Sequence, residues 1–600
     1  MAQIDYVSLE HGTLGLVPAD GFDRYSERHY VSLAPEGAMP VSFDYVRNRA
    51  PHTDMILVLN GGLPAPRDVE IAQMALDAGR RAYFHWPHEN ALEVVTQEQL
   101  ESFARHRKVV NLYWRWRALR KGLQQGRRDR RMIRAYRPPP ETVTRASLEQ
   151  ETPSGVARGQ SDGSAKSLDF LADRGDRIVA RGRGLYVRLD YWAKLKGGGS
   201  YGHTCYQAKA LADASMDGLI AVTASEFALL KDLGLHQIVV PSRSELADEF
   251  TLVENGAAYQ PVIDGLLALY KPAYVFERLV LGNVSVARAC KRLGIPYIAE
   301  FNGSELTMSR EFGGREMNNA EVLQAIETEG FQLADFISVV SQPVKDEVVA
   351  LGIPAEKIIV NPNGVDLSAY HPLPHDERMA LRAELGFGPE DVVLGFCGTF
   401  GGWHGIEVLA EAMPKITAAR PNAKFLLIGG GNFKHIVTDM IAETGISDRV
   451  HDAGMVPQRE AARLLAACDV FLSPHSRNMG SKPFFGSPTK LFEYMAYGAG
   501  IVCSDLVQLG EVMRPALTLS DRDSVYRSDA RSILIRPASV EDLVAASIWL
   551  VDEPRLRAHL GANALKAARD YYSWDVHVQA LWAFALGREP GGYNKDRTIR

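Results

Sequence analysis

The sequence predicts an α/β fold of two consecutive doubly wound units facing a cleft, preceded by a small α/β unit and a linker. Three observations predict it. From residue 184 onward, short β-prone runs (LYVRL, GLIAV, QIVV, AYVFE, YIAE, FISVV, KIIV) alternate with segments of helical length. That is the pattern of a parallel sheet covered by helices on both faces. After the turn-rich NPNGVD at 361–366 the alternation restarts with VVLGFCG, KFLLIGG, RVHDAG, VFLSP, GIVCSD and SILIRP. Finally, 600 residues exceed what one hydrophobic core organises, so several compact units are expected.

The elements follow in chain order. Residues 55–87 read as a strand (MILVL), a Gly-Gly turn, a helix over about 67–79 and a second strand (AYFHW), a βαβ signature for a first small unit. A charged helix comes next. Residues 105–137 then carry thirteen Lys and Arg against one acid, Asp129, within a chain whose net charge is −6. Val109, Leu112, Tyr113, Trp116, Leu119 and Leu123 recur there at helical spacing. A basic amphipathic face with aromatics suits an anionic membrane surface, and packing on its own unit stays open beside that reading. Nucleic acid is disfavoured, because no recognised binding motif accompanies the charge. Residues 138–167 contain almost no large apolar side chains and read as a flexible linker. These signals divide the chain into an accessory unit (1–137), a linker (138–175), a first Rossmann-like unit (176–365), a second (366–585) and a tail (586–600).

Composition sets the class. Apolar content of 46% and charged content of 23% are those of a soluble globular protein. No apolar run reaches the roughly 18 residues that a membrane-spanning helix needs. The opening MAQIDYVSLEHG has neither the basic start nor the apolar core of a secretory signal. Cysteines 205, 290, 397, 468 and 503 are scattered in apolar contexts without metal-ligand spacing, as expected of buried thiols in a reducing compartment. A cytoplasmic protein, peripheral to the inner face of the membrane if 105–137 docks there, is the expectation.

Two motifs bear on chemistry. In "FFGSPTKLFEYMAYGAGIVCSD" (484–505), Ser487 is placed as an N-cap and Pro488 at the first helical position. Free N–H groups and the positive dipole end make such a start an anion site, and Lys490 adds a full charge. A diphosphate suits it, and Glu493, one turn on, can accept hydrogen bonds from the paired hydroxyls of a ribose. A capped core helix with solvated Lys and Glu is the competing reading, and spacing alone leaves both open. In "KGGGSYGH" (196–203), Gly197, Gly198, Gly199 and Gly202 follow the first strand of a Rossmann-like unit and permit close approach to phosphate; a tight turn is the plainer alternative. Glu277-Arg278 reads as an ion pair at a strand end, with an acceptor-orienting role as the alternative. Cys503 reads as core filler, and His203 as a helix-start residue or a donor contact.

Together, "YVFERLVLGNVSVARACKRLGIPYIAEFNGSE", "VSQPVKDEVVALGIPAEKIIVNPNGVDLSAYHP", "GFCGTFGGWHGIEVLAEAM" and "FFGSPTKLFEYMAYGAGIVCSDL" resemble the family-four retaining glycosyltransferases of the GT-B fold, over about residues 184–585. The resemblance implies a sugar nucleotide in the cleft, held mostly by the second unit. Glu493 matches the ribose-binding glutamate, and Pro488, Thr489 and Lys490 match the diphosphate-facing helix start. Gly454, Met455 and Val456 match the loop that reads the base through its backbone. Gly199 and Ser200 match the loop over the phosphates, and Asn302 stands where many members carry a histidine beside the transferred sugar. Two departures stand out. Phe485 replaces a glutamate that contacts the donor sugar, and GTFGGWHG offers Thr399 and His404 in place of the usual Arg and Lys. Diphosphate charge is therefore expected on Lys490, His404 and backbone dipoles.

The resemblance implies transfer of a hexose to a glycan or lipid-linked acceptor, in polysaccharide or glycolipid synthesis. Charge developing on the departing diphosphate calls for a preorganised anion hole. With retention, the departing phosphate itself can take the acceptor's proton, so no glycosidase-type carboxylate pair is required. No metal or other cofactor is expected, since no DxD-like motif lies at the donor site. A non-catalytic nucleotide-sugar-binding scaffold is the alternative, and a GT-B epimerase or phosphorylase would need an acid/base set that is not found.

Overall fold

The computed structural model describes residues 169–190, 195, 197–240, 249–313, 317–476, 486–522 and 528–588. Ahead of them it describes the strands and helices between residues 4 and 105 that are named below. The expected linker (138–167), all but the first residue of the basic segment 105–137, and Phe485 lie outside the described residues.

The first lobe is built on a nine-stranded sheet. Its order is Ile358–Val360, Phe336–Val339, Tyr297–Phe301, Tyr274–Arg278, Gly184–Arg188, Leu219–Thr223, His236–Val239, Ile4–Ser8 and Gly15–Pro18. All neighbours are parallel except the last pair, in which Tyr6 faces Val17 across an antiparallel ladder. The central strands are buried along their whole length, as helices on both faces require. The second lobe holds six parallel strands in the order Val450–Gly454, Ala423–Ile428, Val392–Cys397, Val470–Ser473, Gly500–Ser504 and Ile533–Ile535.

In each sheet the first strand of the Rossmann-like series is flanked by strands that leave it in opposite directions. The resulting crevices open at the carboxyl ends of Gly184–Arg188 and Tyr274–Arg278 in one lobe, and of Val392–Cys397 and Val470–Ser473 in the other. Such crevices are where open α/β sheets bind ligands. They position the site.

Three divisions drawn from the sequence differ from the architecture. The linker, drawn to residue 175, ends sooner, since Leu171–Asp173 pairs antiparallel with Ile178–Ala180. The strands Ile4–Ser8 and Gly15–Pro18, grouped with the accessory unit, extend the edge of the nine-stranded sheet, with Asp5 in register with Ile238. The separate four-stranded sheet is His29–Ser32, Met55–Val58, Ala82–Trp86 and Ala91–Val94, with the helices Pro66–Asp77 and Gln97–Arg105 alongside. The helix Trp574–Ala585, grouped with the second unit, crosses back and docks on the first lobe. There Ile178 N donates to Gln579 Oε1 (2.8 Å), Arg177 pairs with Asp575 (2.5 Å), and Trp582 stacks edge-on against Tyr274 (5.0 Å between centroids). Buried aromatic surface, not chain order, decides its place. Among the described residues no helix is long and apolar enough to cross a membrane.

Candidate active site

The helix that carries Lys490 and Glu493 begins one residue later than its sequence suggests. Pro488 (φ −65°) is the N-cap and Thr489 the first helical residue of Thr489–Ala496, without a side-chain cap. Ser487 is not the cap, because it serves the connection between the lobes. Its hydroxyl accepts from Asn363 N (3.1 Å), and its carbonyl accepts from Asn363 Nδ2 (2.5 Å). The first-turn N–H groups thus keep their capacity to bind an anion.

Lys490 points into this start. Its side chain is buried, its Nζ has no hydrogen-bond partner, and it sits 4.4 Å from the centroid of Phe396. Burial lowers its pKa to about 8. Gly398 (φ +140°) makes the room: a Cβ there would lie 2.8 Å from Nζ. Glu493 is buried on the same helix, and burial raises its pKa to about 7 against the opposing influences of the Tyr370 hydroxyl and Lys490.

His404 does not supply the expected positive charge. It is buried, its Nδ1 bonds the Thr399 carbonyl, and desolvation together with the nearby Lys490 charge holds it far below the ordinary imidazole range. At neutral pH it is an uncharged hydrogen-bonding group, leaving Lys490 as the cation beside Glu493. Thr399 is itself exposed. Residues 477–485, including Phe485, lie outside the described residues.

The two lobes meet over the donor helix. A Cβ on Gly199 would lie 2.5 Å from Thr489 Oγ1, and one on Gly197 would lie 3.8 Å from the Val456 carbonyl. Gly198 (φ +88°) donates its N–H to Gln458 Oε1 (3.0 Å). Gly454 turns the loop after the strand Val450–Gly454 at φ +63°, and its carbonyl accepts from Gly429 N (2.7 Å). Met455 is 82% exposed at the rim, against Gly430. Ser200 accepts through its carbonyl from Arg188 Nη1 (2.9 Å) and Thr204 Oγ1 (3.1 Å). The glycine loop thus lies against Thr489 and Val456, and Thr489 shares its helix with Lys490 and Glu493.

The facing wall belongs to the first lobe. The Asn302 amide oxygen accepts from Arg278 Nη1 (2.8 Å) and Nη2 (3.1 Å) in the orientation that satisfies both side chains. The Glu277–Arg278 ion pair does not form, because successive strand residues point to opposite faces. Glu277 instead accepts from Tyr297 OH (2.6 Å), and among the described residues no carboxylate lies within ion-pair distance of Arg278. Arg188 is committed to Asp190 through two bonds (2.8 and 2.5 Å). Glu305 stands close by, its pKa raised to about 8 by burial and by Asp190. His203 lies inside the lobe rather than at the donor, bonded to Glu300 (2.8 Å) and Gln207 (2.7 Å). Cys503 is fully buried beneath the donor helix.

Sequence reasoning missed Gln458, Tyr370, Arg188 and Asp190. Asp190, directly ahead of the glycine loop at a strand end, carried a positional signal; Gln458 and Tyr370 carried none.

Comparison with known proteins agrees with this geometry. Residues 203–369 match the model described as Glycosyltransferase Family 4, and residues 391–553 match that described as Glycosyl transferases group 1. A GDP-mannose-dependent monoacylated alpha-(1-6)-phosphatidylinositol monomannoside mannosyltransferase of Corynebacterium glutamicum is 26% identical over 220 residues, covering 37% of this chain and 54% of the relative. A 2-deoxystreptamine glucosyltransferase of Streptomyces kanamyceticus is 26% identical over 275 residues, covering 44% and 68%. The chain thus spans about half the length of the first of these relatives and two thirds of the second. Anabaena Alr3699/HepE in complex with UDP-glucose superposes with a TM-score of 0.50 at 17% identity, over 68% of this chain and 99% of that one. A glycosyltransferase from Rickettsia africae ESF-5 gives 0.50 at 15% over the same shares. Those two likenesses bear on fold. With two family models in the expected order on two facing parallel sheets, the chain belongs to the family-four-like glycosyltransferases of the GT-B fold.

Proposed function

We propose that the protein transfers a hexose, with retention of anomeric configuration, from a nucleoside-diphosphate sugar to a glycan or glycolipid acceptor. The observation that carries this reading is Lys490, a buried ammonium with no hydrogen-bond partner at an uncapped helix start. A buried charge left without hydrogen bonds is costly, and an anionic ligand lowers that cost. On this reading Glu493 holds the ribose, and Gly454, Met455 and Val456 border the base. Relatives named for mannosyl and glucosyl transfer to glycolipid and aminocyclitol acceptors, and a neighbour holding UDP-glucose, support the donor and acceptor classes.

Chemistry follows from placement. As the bond between the anomeric carbon and the phosphate oxygen breaks, negative charge grows on the diphosphate beside Lys490 and the first-turn N–H groups. The acceptor hydroxyl attacks from the same face, and its proton passes to the departing phosphate oxygen. Arg278, held by Asn302, and Asp190 are the first-lobe groups placed to orient the acceptor. Docking on an anionic membrane through residues 105–137, at the cytoplasmic face, fits a lipid-linked acceptor.

The test is incubation of the purified protein with a panel of nucleotide sugars and glycan or glycolipid acceptors, with the product's anomeric configuration read by NMR. Retained configuration is expected. An inverted product contradicts the mechanism, and nucleotide-sugar binding without transfer to any acceptor favours the non-catalytic scaffold.

A further inference from the structure

One side chain spans the cleft. Gln458 is buried and opens the helix Gln458–Leu465 of the second lobe. Its Oε1 accepts from Gly198 N of the first lobe (3.0 Å), and its Nε2 donates to Tyr370 OH (2.6 Å). Tyr370, 1% exposed, follows the connection between the lobes, and its ring meets Tyr206 of the glycine-loop helix Gly199–Asp213 edge-on (5.9 Å between centroids). Its hydroxyl also stands near enough to the Glu493 carboxyl to oppose the burial that raises that group's pKa. The glycine loop is shaped around this amide: Gly198 takes the left-handed φ that turns its N–H toward Gln458, and a Cβ on Gly202 would lie 3.0 Å from Nε2.

We infer that Gln458 and Tyr370 are positioning residues that couple the ribose of the donor, at Glu493, to the first-lobe glycine loop. This rests on the donor reading given above. The chemistry explains why an amide stands there. Gln458 must accept from a backbone N–H and donate to a phenol oxygen, so that the single Tyr370 proton stays available to Glu493. A carboxylate at 458 would still accept from Gly198 but would draw the tyrosine proton away from Glu493. A leucine would break both links.

The experiment measures nucleotide affinity by calorimetry and hydrogen exchange of residues 197–202 in the full chain, with and without UDP, GDP or ADP. Gln458→Leu, Gln458→Glu and Tyr370→Phe are compared with wild type, and thermal melting reports folding. In wild type the preferred nucleotide should slow exchange of the loop roughly tenfold, the scale of one hydrogen bond made or lost. Gln458→Leu should lose that nucleotide-induced protection while still binding nucleotide. Gln458→Glu should keep the loop protected with or without nucleotide, yet bind nucleotide as weakly as Tyr370→Phe. Nucleotide-induced protection that survives in Gln458→Leu overturns the coupling alone, as does wild-type affinity in both Gln458→Glu and Tyr370→Phe. If wild type binds none of the three nucleotides, the donor reading fails and the coupling falls with it.

Discussion

At the scale of single residues, the site holds two opposite charges in a setting that disfavours both. That Lys490 and Glu493 share one helix was legible in SPTKLFEYM; their ionisation was not, because it depends on burial that only the folded cleft creates. His404 shows the same limit more sharply. Its position pointed to the diphosphate, yet desolvation and Lys490 keep it neutral. Burial raises Glu493 from 4.5 to about 7, so the folded state prefers the protonated form. Stability tied to this group is present below its unfolded value and is lost as pH rises through about 7. Glu493→Gln should therefore stabilise the nucleotide-free protein at pH 8 by about 1–3 kcal/mol, measured by denaturant unfolding. It should weaken nucleotide binding by about 1–3 kcal/mol, because the amide accepts less strongly from two ribose hydroxyls. For wild type, donor KM should be lowest between pH 7 and 8, rising on the acid side as Glu493 protonates and on the alkaline side as Lys490 (about 8) discharges. A flat profile across pH 6–9 would remove these two groups from donor recognition.

At the scale of elements, the glycine loop and the donor helix were found from the sequence because backbone-driven sites leave composition marks: glycines for approach, Pro at a helix start, a lone cation in the first turn. Gln458 left none, since its partners lie 260 and 88 residues away and a glutamine at a helix start is common. Ser487 was misplaced for a related reason. A serine before proline is a good cap in isolation, but Asn363 of the connecting segment occupies its hydroxyl and carbonyl. The close contact of Gly199 with Thr489 makes a sharp prediction about the two elements together. Gly199→Ala inserts a Cβ 2.5 Å from Thr489 Oγ1 and forces the lobes apart, although alanine in a helix is intrinsically favourable by roughly 0.5–1 kcal/mol. Donor KM should rise about tenfold without loss of thermal stability, as expected where an interdomain contact rather than the core is strained. In a Thr489→Ala background the same substitution should add little further, the non-additivity of residues in contact. Full additivity would show that the loop and the helix do not meet in the working enzyme.

At the scale of the whole molecule, the two-sheet architecture was legible because alternation of strand and helix patterns is dense from residue 184 onward. The crossing of Trp574–Ala585 to the first lobe was not, since an apolar helix face does not say which sheet it covers. Residues 105–137 concentrate thirteen basic side chains. If they dock on a membrane, the protein should sediment with vesicles rich in anionic lipid at low salt, and replacing Arg127, Arg128, Arg130 and Arg131 by Ser should abolish it. Each basic residue contributes about 1 kcal/mol near such a surface, screened within about 8 Å at physiological ionic strength. Turnover on a short soluble acceptor should survive those changes, and a wild type indifferent to the vesicles would refute docking. We propose the cleft as a nucleoside-diphosphate site organised by Lys490. The direct measurement is calorimetric titration of UDP, GDP and ADP, with the matching monophosphates, into wild type and Lys490→Met. We expect one diphosphate to bind wild type, with the variant losing at least roughly tenfold in affinity for it and much less for the monophosphate. Equal losses for both nucleotides, or undiminished diphosphate binding in Lys490→Met, would contradict that account.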